Sequence, residues 1–305
     1  MEDPRDCPEL RLFIVGYPLE YTLSPPIYME WAKRRGIPLV YTVERPSSPA
    51  SLPYYIGTCR RDPCCLGFNV TMPYKAVILS LLDRIEAHAR VIEAVNTVYK
   101  HSSGLAGTNT DWLGVKDPVS STTEPGGMAL IIGAGGAARA AAYALRGLVD
   151  NIVYTSRSGV TAVKLAEWTR KTLGLGAEGY RAAPEVYYKL LPNARLVINA
   201  SPASGASKSP LPQGLLHEAP KPCTVMDMVY NPPETLLLRE ARSAGCKIID
   251  GIKMLATQAA YNLEIWMGEM PRVEELEDIA RRHARRIPAS HRPEEPRESA
   301  GRRSP

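Results

Sequence analysis

The chain has 305 residues, 45% of them hydrophobic and 23% charged, enough to bury one large core or two ordinary ones without structural metal and far from a disordered composition. Its formal charge of +5 is dispersed among acids rather than gathered in a basic stripe, so no nucleic-acid partner is expected. The longest apolar stretch, from Met128 through Ala142, is interrupted by Gly133, Gly135, Gly136 and Arg139, which argues against a membrane span.

Taken in chain order, the pattern reads strand (Leu12 to Val15), helix (Pro25 to Arg35) and β-branched strand (Val40 to Val43), with Ser24 as the helix N-cap and Pro25 at its first position. Leu66 to Val70 supplies a further strand, followed by helical stretches at Tyr74 to Leu82 and Glu86 to Ile92. Ala94 to Tyr99 and Leu105 to Thr108 flank His101-Ser102-Ser103-Gly104 as a hairpin would. Asp117 to Gly127 is rich in Ser, Thr, Pro and Gly and reads as a connection between domains.

From Met128 the rhythm restarts: strand, glycine turn, Ala-rich helix (Ala137 to Arg146), strand (Ile152 to Thr155), helix (Val160 to Leu173), then strands near Leu196 and Thr224. Strands alternating with helices imply an α/β chain with largely parallel sheets. The expected division is residues 1–117, completed by the helices Ile252 to Met267 and Val273 to Arg285 within 250–287, against a doubly wound second domain, 118–249. Residues 288–305 are polar, Pro-rich and expected to be disordered.

Cys7, Cys59, Cys64, Cys65, Cys223 and Cys246 form no C-x-x-C pair, and no His stands at zinc spacing, so free thiols and no metal are expected. A disulfide near Cys59 enters only for a hyperthermophilic source, which the abundant Arg and the scarcity of glutamine (Gln213 and Gln258) would suit. No signal peptide is read ahead of the first strand, and a cytoplasmic location is expected.

Gly133-Ala134-Gly135-Gly136-Ala137-Ala138 leaves an apolar strand and enters a helix, the context in which G-x-G-x-x-G/A binds a dinucleotide. Glycines permit a tight turn and close backbone approach, so that amides and the helix N-terminus hold a pyrophosphate. The second strand ends in Ser156-Arg157-Ser158 where an NAD-selective site presents a carboxylate. An arginine between two serines suits the 2′-phosphate of NADP.

Asn69 and Thr71 lie on one strand face ahead of Lys75, and Asn96 and Asp111 end the hairpin strands. Short polar groups at strand ends form a pocket in open α/β sheets. These segments, with Gly16-Tyr17-Pro18 to Thr22-Leu23-Ser24-Pro25, Asp227-Met228-Val229-Tyr230-Asn231-Pro232 with Thr235, and Gly251-Ile252-Lys253-Met254-Leu255 with Gln258, follow in order the motifs of one family. From about Leu12 to Gly268 the chain resembles the shikimate dehydrogenases.

The resemblance implies an N-terminal αβα substrate domain beside a Rossmann-like NADP domain, and NADPH-dependent reduction of 3-dehydroshikimate to shikimate in aromatic amino acid (chorismate) biosynthesis. It implies Lys75 and Asp111 as the catalytic pair, and Thr22, Ser24 and Tyr230 around the substrate carboxylate. Asn69, Thr71, Asn96 and Gln258 would face the ring hydroxyls. For NADP it implies Gly133, Ala134, Gly135, Gly136, Ala137, Ser156, Arg157 and Ser158, with Asn199, Ala200, Ser201, Met228, Gly251 and Met254 at the nicotinamide end.

Four positions depart from the family pattern: Tyr21 stands for His, Thr22 for Ser, Glu93 for Gly and Trp112 for Gly. Thr22 keeps open a quinate/shikimate dehydrogenase using NAD(P), and a non-catalytic substrate-sensing relative is the alternative of another class, against which Lys75 and Asp111 both stand. The sequence does not fix the oligomeric state, a homodimer among the options.

Overall fold

A computed structural model describes residues 7–286; the expectation for the 288–305 tail lies outside them. The first half contains β1 (Leu10–Val15), α1 (Ser24–Arg34), β2 (Leu39–Glu44), α2 (Leu52–Arg61), β3 (Cys65–Val70), β4 (Arg84–Ile85), α3 (Ala87–Ile92), β5 (Thr97–His101), β6 (Gly104–Thr108) and α4 (Asp111–Thr122). Its six strands lie in the order β2-β1-β3-β5-β6-β4. β1 runs parallel to β2 and β3, whereas β5 is antiparallel to both β3 and β6, closing the expected hairpin. The chain leaves β1 to one side for β2 and returns on the other as β3, so a crevice opens beyond the carboxyl ends of these strands.

The second half adds β7 (Met128–Ile132), α5 (Gly136–Ala144), β8 (Asn151–Ser156), α6 (Val160–Trp168), β9 (Gly176–Arg181), α7 (Pro184–Leu190), β10 (Ala194–Asn199), β11 (Thr224–Asp227), α8 (Leu236–Ser243) and β12 (Lys247–Ile249). All neighbours are parallel in the order β12-β11-β10-β7-β8-β9, the 3-2-1-4-5-6 winding of dinucleotide-binding sheets. Its crevice lies between β7 and β10.

α9 (Gly251–Met267) and α10 (Val273–Ala284) return to the first sheet. Ile252, Leu263, Leu276 and Ile279 share one buried core with Leu12, Ile14 and Trp31. Glu30 of α1 fastens α10, its carboxylate receiving Arg282 at 2.7 Å and His283 at 2.9 Å.

Several sequence expectations change. Asp117 to Gly127 is not all connection: α4 runs through Pro118 to Thr122, burying Gly114, Val115, Pro118 and Val119 as one helical stripe. Proline removes one intrahelical N–H bond; burial of that face, with Tyr261 donating to Asp117 at 2.6 Å, holds the helix nonetheless. Tyr74 to Leu82 is no regular helix but a turn and a 3₁₀ stretch, Val77–Leu81, because the Lys75 carbonyl accepts from the Val95 amide at 2.8 Å instead of from a helical turn. Ser24 is the first helical residue and caps nothing.

The cysteine expectation is overturned for four residues. Cys7 is bonded to Cys64 and Cys223 to Cys246, while Cys59 and Cys65 are free and buried. Each bonded pair stands just ahead of two adjacent parallel strands, β1 and β3 or β11 and β12, a juxtaposition that topology creates and spacing does not reveal.

Candidate active site

Lys75 owes its place to the turn after β3, and Asp111 to the first residue of α4. Lys75 Nζ lies 2.7 Å from Asp111 Oδ2. The other carboxylate oxygen accepts from Asn96 Nδ2 at 2.8 Å, and the Asp111 amide donates to Asn109 Oδ1 at 3.0 Å. The aspartate is thus held from three sides. Lys75 keeps 30% of its side chain accessible and Asp111 14%, so the ammonium reaches the crevice while the carboxylate stands behind it.

A cavity of about 230 Å³ opens over this pair, below the ~300–1,000 Å³ of drug-sized sites and suited to a small ligand. It is lined by every residue expected at the substrate: Thr22, Ser24, Asn69, Thr71, Lys75, Asn96, Asp111, Tyr230 and Gln258. Asn69 is fixed by Tyr41, whose hydroxyl donates to Oδ1 at 2.7 Å. Ser24, freed from capping, lies 3.2 Å from the Thr22 hydroxyl. Burial pushes the Tyr230 phenol upward, with Thr22 working the other way, so at neutral pH Tyr230 is an uncharged hydroxyl donor. Ala137, Met228, Gly251 and Met254 close the wall toward the second sheet.

A groove across that sheet is lined by Gly133, Ala134, Gly135, Ser156, Arg157, Ser158 and Thr161. Thr161 was not expected; it stands in the first turn of α6, where the β8 loop turns over the groove. Gly133 has φ +114°, and a Cβ there would meet the Ala200 carbonyl oxygen at 2.9 Å, whereas a Cβ at Gly135 or Gly136 would meet nothing within 4 Å. The turn is therefore tight on its inner side and bare toward the groove, with the N-terminus of α5 behind it. Among the described residues no carboxylate lines the groove. These residues fit a dinucleotide bearing a 2′-phosphate.

Asn199 lines neither cavity. It is fully buried, donates to Asp227 Oδ1 at 2.9 Å and accepts from the Ser201 hydroxyl at 2.7 Å. Thr235 and the Val229 amide also donate to Asp227, whose carboxyl burial pushes up. Asn199 with Asp227 therefore straps the ends of β10 and β11, placing Ala200 and Ser201 against the glycine turn and Met228 and Tyr230 at the cavity.

Beside Thr22, the other three departures fall into place. Tyr21 packs on the first core, and burial raises its phenol to about 12. Glu93 occupies the left-handed C-cap of α3 at φ 58°, a conformation that glycine adopts without strain; its carboxylate pairs with Arg139 of α5, bridging the two halves. Trp112 packs on His88 and edge-on against Tyr143 of α5, at 5.7 and 5.3 Å between ring centres. Among the described residues no cluster of three His, Cys, Asp or Glu could hold a metal, and no helix is long and apolar enough to cross a membrane.

The model of the shikimate dehydrogenase substrate-binding domain matches residues 14–98. The shikimate dehydrogenase (NADP(+)) of Aeropyrum pernix is 39% identical over 262 residues, 85% of this chain and 92% of that protein. Shikimate 5-dehydrogenase from Thermus thermophilus, solved in complex with NADP(H) and shikimate, superimposes with a TM-score of 0.76 at 34% identity, covering 90% of this chain and 99% of that one. Quinate dehydrogenase from Corynebacterium glutamicum in complex with NAD gives a TM-score of 0.77 at 26% identity, covering 89% and 98%.

Proposed function

The chain belongs to the shikimate dehydrogenase family, and on that premise we propose that its cleft interconverts 3-dehydroshikimate and shikimate with NADP. The observation that carries the reading is the Lys75–Asp111 pair at the floor of a cavity whose far wall belongs to the dinucleotide sheet. NADP supplies or takes up the hydride when bound. The reacting carbon's oxygen then needs a proton in one direction and must lose one in the other. Lys75 Nζ holds that proton and places positive charge where the oxygen becomes negative. Asp111 orients the ammonium through one oxygen, and Asn96 prevents it from turning away.

Thr22, Ser24 and Tyr230 present three hydroxyls at one end of the cavity, suited to a carboxylate. Asn69, Thr71, Asn96 and Gln258 present amides and a hydroxyl for ring oxygens. In the other groove, Gly133, Ala134, Gly135, Gly136 and Ala137 would hold the pyrophosphate, and Arg157 with Ser156 and Ser158 the 2′-phosphate, while Met228, Gly251 and Met254 border the nicotinamide. We divide the chain accordingly into a substrate unit, 1–117 with 250–287, and a cofactor unit, 118–249. A cytoplasmic setting and a homodimer belong to the same proposal.

Lys75→Ala is expected to lower kcat by roughly 10²–10⁴-fold with little change in KM for shikimate. Near-normal kcat with weak shikimate binding would make Lys75 a binding residue and this mechanism wrong.

A further inference from the structure

Behind the cavity, Asn262 of α9 is fully buried and four residues after Gln258, so the two share one helix face. Neither Asn262 nor the tyrosine and threonines around it belong to the residues that line the cavity. All four of its amide hydrogen-bonding positions are used. Oδ1 accepts from the Thr110 hydroxyl at 2.9 Å and faces the Thr97 hydroxyl at 2.7 Å, whose single proton is shared with Asn96 Oδ1 at 2.8 Å, and Nδ2 donates to the Tyr28 hydroxyl at 2.8 Å and Gln258 Oε1 at 3.1 Å.

The direction of these bonds is fixed from one end. The backbone N–H of Thr110 is only a donor, and it points at Asn96 Oδ1 at 2.8 Å. Asn96 Nδ2 therefore faces Asp111 and the Thr110 hydroxyl. Thr110, having accepted from Asn96, sends its own proton to Asn262 Oδ1, its nearest acceptor at 2.9 Å against 3.3 Å for Asn96 Oδ1 and 3.4 Å for Gln258 Oε1. Asn262 must then turn its NH₂ toward Gln258, which answers with Oε1. Gln258 Nε2 gives one proton to the Leu255 carbonyl at 3.0 Å, and its other is left for an acceptor at the cavity.

We propose that Asn262 is a positioning residue that orients the Gln258 amide, presenting Nε2 rather than Oε1 to a substrate oxygen and tying that choice to the Asn96–Asp111–Lys75 set. The inference rests on the proposed reaction. Without Asn262 the Gln258 amide is free to turn, and an oxygen meets the substrate oxygen in part of the molecules.

The test uses the full chain and shikimate-dependent reduction of NADP. Asn262→Leu is expected to raise KM for shikimate roughly tenfold, the usual effect of losing a buried hydrogen-bond partner, with KM for NADP unchanged. In a Gln258→Ala background the same substitution should cost less than about twofold, because coupled residues are not additive. Equal cost in both backgrounds would make Asn262 merely structural and overturn the proposal. Gln258→Glu keeps the inward acceptor but loses the outward donor, so it should lose as much as Gln258→Ala; near-normal activity would overturn the proposal even if Asn262→Leu failed to fold. An unmodified chain without activity on shikimate overturns the reaction itself, whereas an active chain indifferent to these changes overturns only the role of Asn262.

Discussion

In the proposed reading, Arg157 and its flanking serines concentrate the choice of cofactor in one exposed loop. NADP and NAD differ there by a single phosphate, so only NADP offers the guanidinium a charge-assisted partner. Arg157→Ala should weaken NADP roughly tenfold or more and leave NAD within about twofold, measured as the KM for each. An equal loss for both would show the arginine to be structural. Arg157 stands out in the sequence because it sits inside a local motif, and Lys75 and Asp111 because the segments that carry them follow the motifs of the family. Asn262, Tyr28 and Thr97 do not. Asn262 and Thr97 are 165 positions apart, and nothing near Asn262 marks it beyond its place one turn after Gln258 on a largely apolar helix.

The junction of α1 with α10 is where the returning helices, and with them Gln258, are secured. Burial works against the charge of Glu30, but hydrogen bonds from Arg282, His283 and Arg34 outweigh it and hold the carboxyl at about 2 against an ordinary 4.5. A carboxyl depressed on folding stabilises the folded state above its unfolded value and loses that contribution as pH falls through its folded one. The contribution is therefore complete above about pH 5 and gone near pH 2. With 24% of the side chain exposed, its worth is discounted for solvent screening to on the order of 2 kcal/mol. Glu30→Gln should lower unfolding stability by about that much at pH 7, the gap closing toward pH 2; a gap independent of pH would contradict it. The strong apolar strands and α9 were legible as elements, their boundaries moving by a residue or two. α4 was not, since Pro118 and the surrounding Ser and Thr mask a buried stripe that packing on α5 and α9 creates.

Across the whole molecule, the two sheets bring their carboxyl-end crevices together, so residues from Thr22 to Gln258 line one cavity. The order of the second sheet follows from its strand and helix rhythm, but the disulfides do not, because they report which strands become neighbours. Closing loops with separations of 57 and 23 residues is worth about 4 and about 3 kcal/mol in the chain-entropy limit. Reduction should therefore lower the thermal midpoint, and an unchanged midpoint after verified reduction of both bonds would contradict that contribution. Interconversion of shikimate and 3-dehydroshikimate with NADP is checked by kcat/KM of the unmodified chain for shikimate and for quinate, each with NADP and with NAD. The highest value is expected for shikimate with NADP. Quinate with NAD as the preferred pair, or no turnover with any of the four, would contradict it.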